Sequence, residues 1–489
     1  MKGISYLDMI KELLNESEFF KFQECYAKPI KKSIKILNHR WFKNQKSDLR
    51  KIVHDCISQE RNLSESNFSY NWKKYNDVIF ITRKENLKSA SIWSHFLHQA
   101  WFIYVQEMAA SLPVQVLWIQ PWDTVLDMCA APWWKSIQIA DILNDWFLIS
   151  NEIDSGRRKA LESNFHRCWI FNVWVIGQDW CTLWDKFPET FDKVLVDAPC
   201  SWEWMQYKSD KKVWQRDEKK SKKLSDLQIK LLTSWLKSLK VWWELVYSTC
   251  TTNILENEYV VSEVLKQHSG KIELLPVPLD QKSNWIPNWH WKEIISLDDA
   301  KKVARFRPHI HQTWWFFIAK FKKLESFSFS GWKEFNNIES YISNTSLKIQ
   351  LNLIDNELLK WWILDYKWLG IFISKYTVNI APRSLINSCF ETLIPSIEIW
   401  LPIFKIINDN KNNSQKLIPL PWLAKIFWHL ATKNVIEIDN NQLKLLMEKK
   451  DLVDNRLTEY EWNYIILTRN WFWIWLVSVQ KWIWKNKCF

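Results

Sequence analysis

Two cysteines follow predicted strands, at points where a thiol is well placed to attack a bound substrate. Cys200 comes after the apolar run KVLVDAP and Cys250 after ELVYST. The carboxyl ends of parallel strands meet at one edge of a sheet, where ligands bind, so we expect both thiols on one rim. A thiol with an ordinary pKa of about 8.5 is only a few per cent thiolate at neutral pH, so it needs a cationic or polar neighbour. Lys135 is the candidate cation.

Chemistry at C5 of cytosine is one reaction that requires such a thiol. C5 is not nucleophilic until a thiolate adds to C6, and a carboxyl group hydrogen-bonded to N3 eases that addition. Asp197, three residues before Cys200, supplies a carboxyl group at the same strand end. Most cysteines are small buried side chains, and that interpretation suits Cys25, Cys56, Cys168, Cys181, Cys389 and Cys488.

Acidic residues at successive strand ends indicate a nucleoside-binding site on the same rim. They are Asp127, Glu152, Asp179 and Asp197. A carboxylate after the second strand is the usual acceptor for ribose hydroxyls, and one after the third can reach an adenine amino group. Any one of these acids alone is more typical of a helix cap or a solvated side chain, but four in register favour a ligand. The loop from Cys129 to Ser136 then leads to a helix N-terminus, where backbone N–H groups can meet that ligand.

The elements that position these residues alternate between short apolar runs and amphipathic stretches, from Thr124 to about Lys323. This alternation predicts an α/β domain with a largely parallel sheet covered on both faces. The candidate strands are TVLDMCA, FLISNEI, VWVIGQD, KVLVDAP, ELVYSTC and FFIAKF. The candidate helices between them include SIQIADILND, RRKALESNFHR and LSDLQIKLLTSWLKSL.

The flanking regions carry weaker patterns. Residues 1 to about 75 predict helix with a short strand at Ser33–Leu37, and a helical pattern resumes over residues 89–117. The lysine-rich run 208–223 predicts an exposed loop and a helix start. After about residue 324, Ser and Asn become frequent, which predicts a linker followed by a smaller mixed or β-rich domain.

The composition favours a multidomain protein with a polyanionic partner and argues against a secreted, membrane-spanning or zinc-binding protein. The chain of 489 residues is long enough for two or three domains, and its net charge of +12 suits a polyanionic partner. Its N-terminus lacks the apolar core of a signal peptide, and we expect no transmembrane helix because no run of 18 apolar residues occurs. Nine cysteines without a C-x-x-C pair predict reduced thiols, a cytoplasmic location and no zinc site.

Tryptophan and glycine are present in unusual numbers, 37 and 6. Ordinary usage predicts roughly 34 glycines at this length, and the tryptophans stand where glycine belongs, as in APWWK and LKVWWELVY. Bulky residues resist the positive φ that such turns need. We therefore hypothesise that many of these tryptophans are glycine, through a reassigned codon such as UGA. A truly tryptophan-rich protein with stacking rings would leave the missing glycines unexplained.

Four motifs resemble those of the RsmB/NOP/Sun family of RNA cytosine-5 methyltransferases: LDMCAAPWWKS, SNEIDSGRRKALESNFHRCWI, VLVDAPCSWEWM and LVYSTCTTN. The resemblance covers about residues 15–325. It becomes nearly complete with glycine at Trp133, Trp134, Trp202, Trp204, Trp242 and Trp243. Within the family, the chain resembles the RsmF-type 16S ribosomal RNA enzymes, which carry a PUA-like RNA-binding tail. The C-terminal match is weaker.

The resemblance implies a role for each matched residue. Cys250 is expected to be the nucleophile on C6, Cys200 to assist product release, and Asp197 to engage the base, with Lys135 near both. The expected contacts of S-adenosylmethionine are Cys129, Ala130, Ala131, Pro132, Trp133, Trp134, Lys135, Glu152, Asp179 and Asp197. Arg157 is a further candidate at the family spacing.

The expected fold class is α/β, with a Rossmann-like class I S-adenosylmethionine-dependent methyltransferase sheet. It lies between an N-terminal RNA-binding region and a C-terminal PUA-like mixed α+β domain. The expected boundaries are residues 1–88, 89–325 and 326–489. The expected partner is RNA, as ribosomal RNA or the small ribosomal subunit, with transfer RNA as an alternative. No DNA, membrane or metal is expected, and the protein is expected to be a monomer.

Two other classes compete with this interpretation. A non-catalytic RNA-binding assembly factor would have no use for both Cys200 and Cys250. A dinucleotide-dependent oxidoreductase would carry G-x-G-x-x-G where this chain has AAPWWK.

Overall fold

The computed structural model describes residues 103–327 apart from short gaps, together with separate segments on either side. The gaps are 132–133, 144–145, 147, 169, 180, 182–186, 202–217, 280–287 and 290–291. The segments before residue 103 are 6–26, 32–37, 63–65, 78–83 and 98. Those after 327 are 354–358, 369–373, 377–382, 401–409, 414–420, 423, 435–437, 439, 442, 452–453, 464–469, 473–480 and 483–485. The chain divides into two compact units, residues 1–164 with 173–332, and residues 165–172 with 333–489.

The first unit begins with helices α1 (Tyr6–Leu13) and α2 (Glu16–Tyr26) and an antiparallel sheet. The strands of that sheet are β1 (Lys32–Ile36), β2 (Leu63–Glu65), β3 (Val78–Arg83) and β4 (Ile103–Gln106), in the order β2-β3-β1-β4. The predicted strand at Ser33–Leu37 is confirmed as β1. Pairing of β1 with β4 joins residues on both sides of the expected boundary at residue 88, and the boundaries themselves stay predictions.

The main sheet of this unit has the order β10-β14-β9-β8-β5-β6-β7, with β13 beside β14. Strands β5 to β9 pair in parallel, whereas β14 runs antiparallel to β9 and β10. The strands are β5 (Val125–Asp127), β6 (Leu148–Asn151), β7 (Val173–Ile176), β8 (Phe191–Asp197), β9 (Leu239–Thr249), β10 (Ile272–Leu275), β13 (Ala304–Phe306) and β14 (Phe316–Lys323). A separate pair consists of β11 (Asn288–Trp289) and β12 (Lys292–Glu293).

Helices connect these strands and cover the sheet. They are α3 (Met108–Leu117), α4 (Trp134–Ile142), α5 (Ser155–Arg167), α6 (Glu218–Ser238), α7 (Glu258–Gln267), α8 (Leu297–Ala300) and α9 (Pro308–His311), with a 3-10 turn at Ile254–Glu256. Strands β5, β6 and β7 are buried along their whole length, as expected for a parallel sheet covered on both faces. All six candidate strands and the three candidate helices of this region are confirmed. Strands β10 and β13 were not predicted, because both are short.

The prediction of helix over residues 89–117 is wrong at Ile103–Gln106, which form β4. The run Ile-Tyr-Val suits a strand, since β-branched and aromatic side chains pack well on a pleated surface. The helix begins only at Met108, because the carboxylate of Glu107 caps it by accepting a hydrogen bond from the Ala110 N–H at 3.1 Å. Helix over residues 1–75 is likewise wrong at Leu63–Glu65, which form β2.

The second unit is rich in strands, as predicted. One antiparallel sheet has the order β15 (Leu369–Ile373), β16 (Thr377–Pro382), β17 (Leu401–Asp409) and β18 (Ser414–Pro419). The other has the order β19-β21-β22-β23-β20, formed by β19 (Val435–Glu437), β20 (Leu452–Val453), β21 (Tyr464–Arg469), β22 (Trp473–Gln480) and β23 (Ile483–Lys485). In the described part of the chain, no helix has the length and apolar character needed to span a bilayer.

Two tryptophans adopt the left-handed backbone conformation that glycine favours. Trp118 ends α3 with φ 52° and ψ 57°, and Trp242 has φ 74°. Trp242 lies in an irregular stretch of β9, where the pairing with β8 jumps from Leu239 to Glu244. Glycine is the usual residue at such helix ends and bulges, because it has no Cβ to clash. The two residues are 68% and 65% exposed, so packing does little to offset the strain.

Replacing Trp118 with glycine should therefore raise the free energy of unfolding by about 1 kcal/mol. A non-glycine residue in this conformation costs roughly 1–2 kcal/mol, and the substitution removes that cost. The larger conformational entropy of glycine in the unfolded chain offsets part of the gain. Trp122→Gly is the matched control, since Trp122 is 62% exposed and is absent from the residues with positive φ. We expect it to leave stability unchanged or lower it. Urea unfolding of each variant, compared with the protein that carries tryptophan at both positions, measures the two changes in the free energy of unfolding. Equal shifts would show that the backbone conformation is not the cause.

Candidate active site

The loops that follow the central strands lie against one another at the carboxyl edge of the main sheet. The Ala130 N–H donates to the Asn151 carbonyl at 3.1 Å, which ties the loop after β5 to the end of β6. The Ala198 N–H donates to the Ser248 carbonyl at 2.9 Å, which ties the loop after β8 to the end of β9. Side chains from distant parts of the chain therefore share one rim, as the sequence predicts.

The two predicted thiols lie together on this rim. The sulfur atoms of Cys200 and Cys250 are 3.2 Å apart, and both side chains are partly buried. The next residue in each loop reinforces the approach, since the hydroxyls of Ser201 and Thr251 are 2.8 Å apart and hydrogen-bonded. Two sulfurs this close can act on neighbouring atoms of one small substrate.

Asp197 and Lys135 form an ion pair beside the thiol-bearing loops. The Lys135 ammonium lies 2.6 Å from Asp197 Oδ2, and the Ser248 hydroxyl donates to Asp197 Oδ1 at 2.7 Å. The Lys135 side chain is only 8% exposed, and its ammonium lies 5.4 Å from the centre of the Phe316 ring. The carboxylate is thus held in one orientation, with a cation that offsets its charge.

A second cluster lies at the end of β6. The Glu152 side chain is 1% exposed, and its Oε1 accepts from the Asp154 N–H at 3.0 Å. Arg157, at the start of α5, lies 3.5 Å from Glu152 Oε2 and donates to the Ala131 carbonyl at 2.8 Å. Arg157 therefore links the acid after β6 to the loop after β5.

Asp179 follows β7 and is brought to the same edge by Asn151, the last residue of β6. The Asn151 amide donates to the Gln178 carbonyl at 3.2 Å, and its oxygen accepts from the Gln178 N–H at 3.0 Å. Asn151 thereby clamps the end of β7 to the end of β6. One Asp179 oxygen accepts from the Cys181 N–H at 2.9 Å.

The loop after β5 is described in part. Cys129, Ala130 and Ala131 are buried, whereas Pro132 and Trp133 lie outside the described residues, as do Trp202 and Trp204. Burial raises the pKa of the Cys129 thiol well above its ordinary value, so this cysteine stays protonated. Trp134 begins α4, where its ring stacks on Tyr104 of β4 with centres 6.0 Å apart, and the Tyr104 hydroxyl donates to the Trp134 carbonyl at 3.3 Å.

Asp127, at the end of β5, is buried and only partly hydrogen-bonded. The Ser136 hydroxyl donates to its Oδ2 at 2.5 Å, while Oδ1 has no hydrogen-bond partner among the described residues. Burial raises its pKa to about 7, with a smaller contribution from the charge of Asp197. An orphaned buried oxygen here and the buried carboxylate of Glu152 fit a ligand that donates hydrogen bonds, as ribose hydroxyls do.

A buried polar network behind the thiols was missed at the sequence level. It includes Gln228, Asn253, Glu256 and Asn257, each no more than 1% exposed. The only signal for it in the sequence is the unusually polar stretch STCTTNILENE after β9. Within the described residues, no three or more His, Cys, Asp or Glu side chains are arranged to hold a metal ion.

A largely parallel sheet in which β14 is reversed between β9 and β10, together with an acid-lined carboxyl edge, defines a Rossmann-like methyltransferase fold. A solved methyltransferase homologue from Pyrococcus horikoshii has this fold, with a TM-score of 0.54 and 26% identity over 66% of this chain and 96% of that one. Residues 114–322 match the family model described as 16S rRNA methyltransferase RsmB/F.

Two relatives with named functions agree with this match. A tRNA (cytosine(49)-C(5))-methyltransferase of Pyrococcus abyssi is 35% identical over 222 residues, which are 45% of this chain and 70% of that protein. The ribosomal RNA small subunit methyltransferase F of Photobacterium profundum is 28% identical over 277 residues, 56% of each protein. The chain belongs to the RsmB/F family, which confirms the resemblance seen in its motifs. It spans about half the length of the latter relative.

The raised pKa of Asp127 predicts a pH-dependent cost to stability. The folded state binds this proton more tightly than the unfolded state, because the pKa rises from 3.8 to about 7 on folding. The contribution of Asp127 to the free energy of unfolding should therefore fall as pH rises from 4 to 7 and then level off. Asp127→Asn cannot ionise, so its stability relative to the original protein should increase by a few kcal/mol over that window.

Unfolding in urea at a series of pH values measures this difference. Asp298→Asn, which removes a carboxylate that is 89% exposed, controls for the loss of one negative charge. A stability difference between Asp127→Asn and the original protein that stays constant from pH 4 to pH 8 would contradict the assignment.

Proposed function

We propose that this protein is an S-adenosylmethionine-dependent methyltransferase that forms 5-methylcytosine in RNA through a covalent bond between a cysteine and C6. The observation that carries the proposal is the pair of thiols, Cys200 and Cys250, 3.2 Å apart beside the Asp197–Lys135 ion pair. A protein that only binds RNA has no use for two adjacent thiols at a ligand-binding rim, so the arrangement favours the enzyme over an assembly factor.

In this proposal Cys250 is the nucleophile. Its thiolate forms a bond to C6, and the electron pair of the C5–C6 double bond becomes available at C5. The carboxyl group of Asp197 donates its proton to N3 of the base as the thiolate adds, and Lys135 offsets the charge of the carboxylate that forms. Bound S-adenosylmethionine would supply the methyl group for C5, and S-adenosylhomocysteine would be the leaving group.

Cys200 acts after methyl transfer. Its thiolate takes the proton from C5, and the electron pair of that C–H bond restores the C5–C6 double bond. The bond between C6 and the sulfur of Cys250 breaks, and Cys250 leaves as a thiolate. Adjacent sulfurs suit this division of labour, because the atoms they act on, C6 and C5, are themselves bonded.

The cofactor contacts follow from the acid-lined edge. Glu152 would hold the ribose hydroxyls and Asp179 the adenine amino group. The loop Cys129–Lys135, which includes the N-terminus of α4, would lie against the remaining part of S-adenosylmethionine. The buried, oriented carboxylate of Glu152 and the orphaned oxygen of Asp127 support this assignment.

Ribosomal RNA is the substrate class that we propose, and the description of the matching family model supports it. The relative from Pyrococcus abyssi, named for transfer RNA, keeps that alternative open. Bisulfite mapping of both RNAs from cells with and without the gene separates the two. Exposed lysines at the start of α6 and a net charge of +12 suit contacts to phosphates; the lysines are Lys219, Lys220, Lys222 and Lys223.

We propose that the N-terminal region makes further contacts with RNA. We also propose that the second unit is a PUA-like domain that binds RNA. A site built on two thiols requires reducing conditions, which supports a cytoplasmic location.

We also propose that tryptophans in the glycine-like positions of this chain are translated as glycine. The left-handed backbone at Trp118 and Trp242 supports this, because glycine adopts such φ values without strain. Trp242 is one of the positions where the family motifs carry glycine, and Trp133 and Trp134 in the cofactor loop are two others. A loop of small residues would let the backbone approach the cofactor closely.

Peptide mass spectrometry of the protein from its own cells tests the recoding. We expect glycine at Trp133, Trp134, Trp202, Trp242 and Trp243, with UGA at each corresponding codon, and the left-handed backbone adds Trp118 to this set. Tryptophan in those peptides, or UGG in the gene, would overturn the proposal. The outcome also fixes which residues an expressed protein must carry at these positions for the assays below.

The two thiols should give opposite results when each is replaced by alanine. Cys250→Ala should abolish both methyl transfer and the covalent RNA adduct, because no nucleophile remains to activate C5. Cys200→Ala should stall after methylation and leave a denaturant-resistant complex that contains the transferred methyl group. A denaturing gel with labelled RNA distinguishes them, although both would be inactive in a turnover assay.

Two results would contradict these roles. If the Cys250→Ala variant accumulated a covalent RNA adduct and the Cys200→Ala variant did not, the roles assigned to the two cysteines would have to be exchanged. Normal methylation by both variants would overturn the cytosine-5 proposal itself. Cys25→Ala is the matched control for loss of a cysteine, since Cys25 is partly buried like the two rim thiols but belongs to helix α2.

A further inference from the structure

Three consecutive polar residues, Glu256, Asn257 and Glu258, are completely buried directly behind the two thiols. They span the end of the 3-10 turn and the start of α7. Burying a carboxylate or an amide is costly unless hydrogen bonds replace those to water. The partners of these residues therefore indicate why the chain keeps polar groups here.

Glu256 holds the loop that carries Cys200. Its Oε2 accepts from the Ser201 N–H at 2.9 Å and from the Gln228 amide at 3.3 Å. The same Gln228 amide donates to the Pro199 carbonyl at 2.9 Å. Both chain neighbours of Cys200 are thus tied to Glu256, one directly and one through Gln228.

Asn257 holds the loop that carries Cys250. Its Oδ1 accepts from the Thr249 hydroxyl at 2.5 Å, and its Nδ2 donates to the Thr251 carbonyl at 3.0 Å. Both chain neighbours of Cys250 are therefore bound to the residue that follows Glu256. One short turn contacts the two thiol loops, which come from different strands.

The turn itself is anchored on both sides. The Tyr247 hydroxyl donates to the Glu256 carbonyl at 2.6 Å. Arg305 of β13 makes a bidentate ion pair with Glu258, at 2.6 and 2.5 Å, and also donates to the Thr252 carbonyl at 3.2 Å. Because bidentate pairs restrict geometry strongly, the turn is a fixed reference for the thiols.

We propose that Glu256 and Asn257 are positioning residues that set the separation of the two thiols, Glu256 through the Cys200 loop and Asn257 through the Cys250 loop. The inference rests on the proposed function and assigns each residue to one stage of it. Glu256 controls release of the methylated product, because it places Cys200. Asn257 controls formation of the adduct, because it places Cys250.

Glu256→Gln keeps the shape of the side chain but points an N–H₂ group at neighbours that are themselves donors. We expect it to accumulate the methylated, denaturant-resistant RNA complex at least tenfold over the original protein, although Cys200 is intact. Asn257→Asp keeps the acceptor for Thr249 but loses the donor to Thr251. We expect it to form the adduct at least tenfold more slowly. Denaturing gels that follow adduct and released product over time measure both.

Val264→Ala is the matched control, because Val264 is buried on the same helix, α7, and makes none of these hydrogen bonds. It should lower stability without changing the ratio of adduct to released product. If Glu256→Gln does not fold, Gln228→Met removes the link to Pro199 and must shift the ratio in the same direction. A ratio unchanged in the variants of Glu256 and Gln228, or changed equally in Val264→Ala, would overturn the inference.

A second measurement needs no RNA and separates this inference from the proposed function. Diamide, a thiol oxidant, converts two neighbouring thiols to a disulfide as its N=N bond takes up their two hydrogens. Formation of the Cys200–Cys250 disulfide, measured by mass spectrometry, should be at least fivefold slower in Glu256→Gln and Asn257→Asp than in Val264→Ala. Equal rates would overturn the positioning roles. Failure of the cysteine variants to differ in adduct formation would instead overturn the proposed function.

Discussion

Two sulfurs must stay within a few ångströms of each other although they belong to loops that follow different strands. The parallel pairing of β8 with β9 brings the loops to the same edge, but a strand pair alone does not fix its loops. The backbone bond from Ala198 to Ser248 extends the contact beyond the strands. The buried turn at Glu256 and Asn257 then holds the residues on both sides of each thiol. The rest of the rim is arranged around this pair.

Burial serves different purposes at the three acids that matter most. At Asp197, Lys135 and Ser248 satisfy both oxygens, so the carboxylate is oriented. At Glu152, a backbone N–H and Arg157 do the same near the expected ribose position. At Asp127 one oxygen lacks a hydrogen-bond partner among the described residues, and burial shifts its pKa towards neutrality. A buried group left partly unsatisfied is characteristic of a site that awaits a ligand.

The sequence predicted the main sheet well because strands β5 to β9 each contain a short apolar run that is followed by distinctive polar residues. The rim residues Cys200, Cys250, Asp197 and Lys135 were found for the same reason, since strand ends converge in a parallel sheet. Glu256 and Asn257 were missed because Glu256 binds Ser201 and Gln228, which lie 55 and 28 residues away in the chain, and Asn257 binds a threonine hydroxyl and a backbone carbonyl, partners that no local pattern marks. Strand β4 was missed because its Ile-Tyr-Val run is too short to outweigh the helix that follows at Met108.

The position of β14 in the sheet has a consequence for how the chain is made. β14 lies between β9 and β10, and among the described strands β10 pairs with β14 only. A chain that emerges in sequence order therefore completes β9 and the Cys250 loop while the outer edge of β9 is still open. Unpaired strand edges in partly folded chains invite association with other chains. The last strand of the sheet to be synthesised is thus the one that covers the edge of β9, so this edge stays available for association with other chains until residues 316–323 emerge.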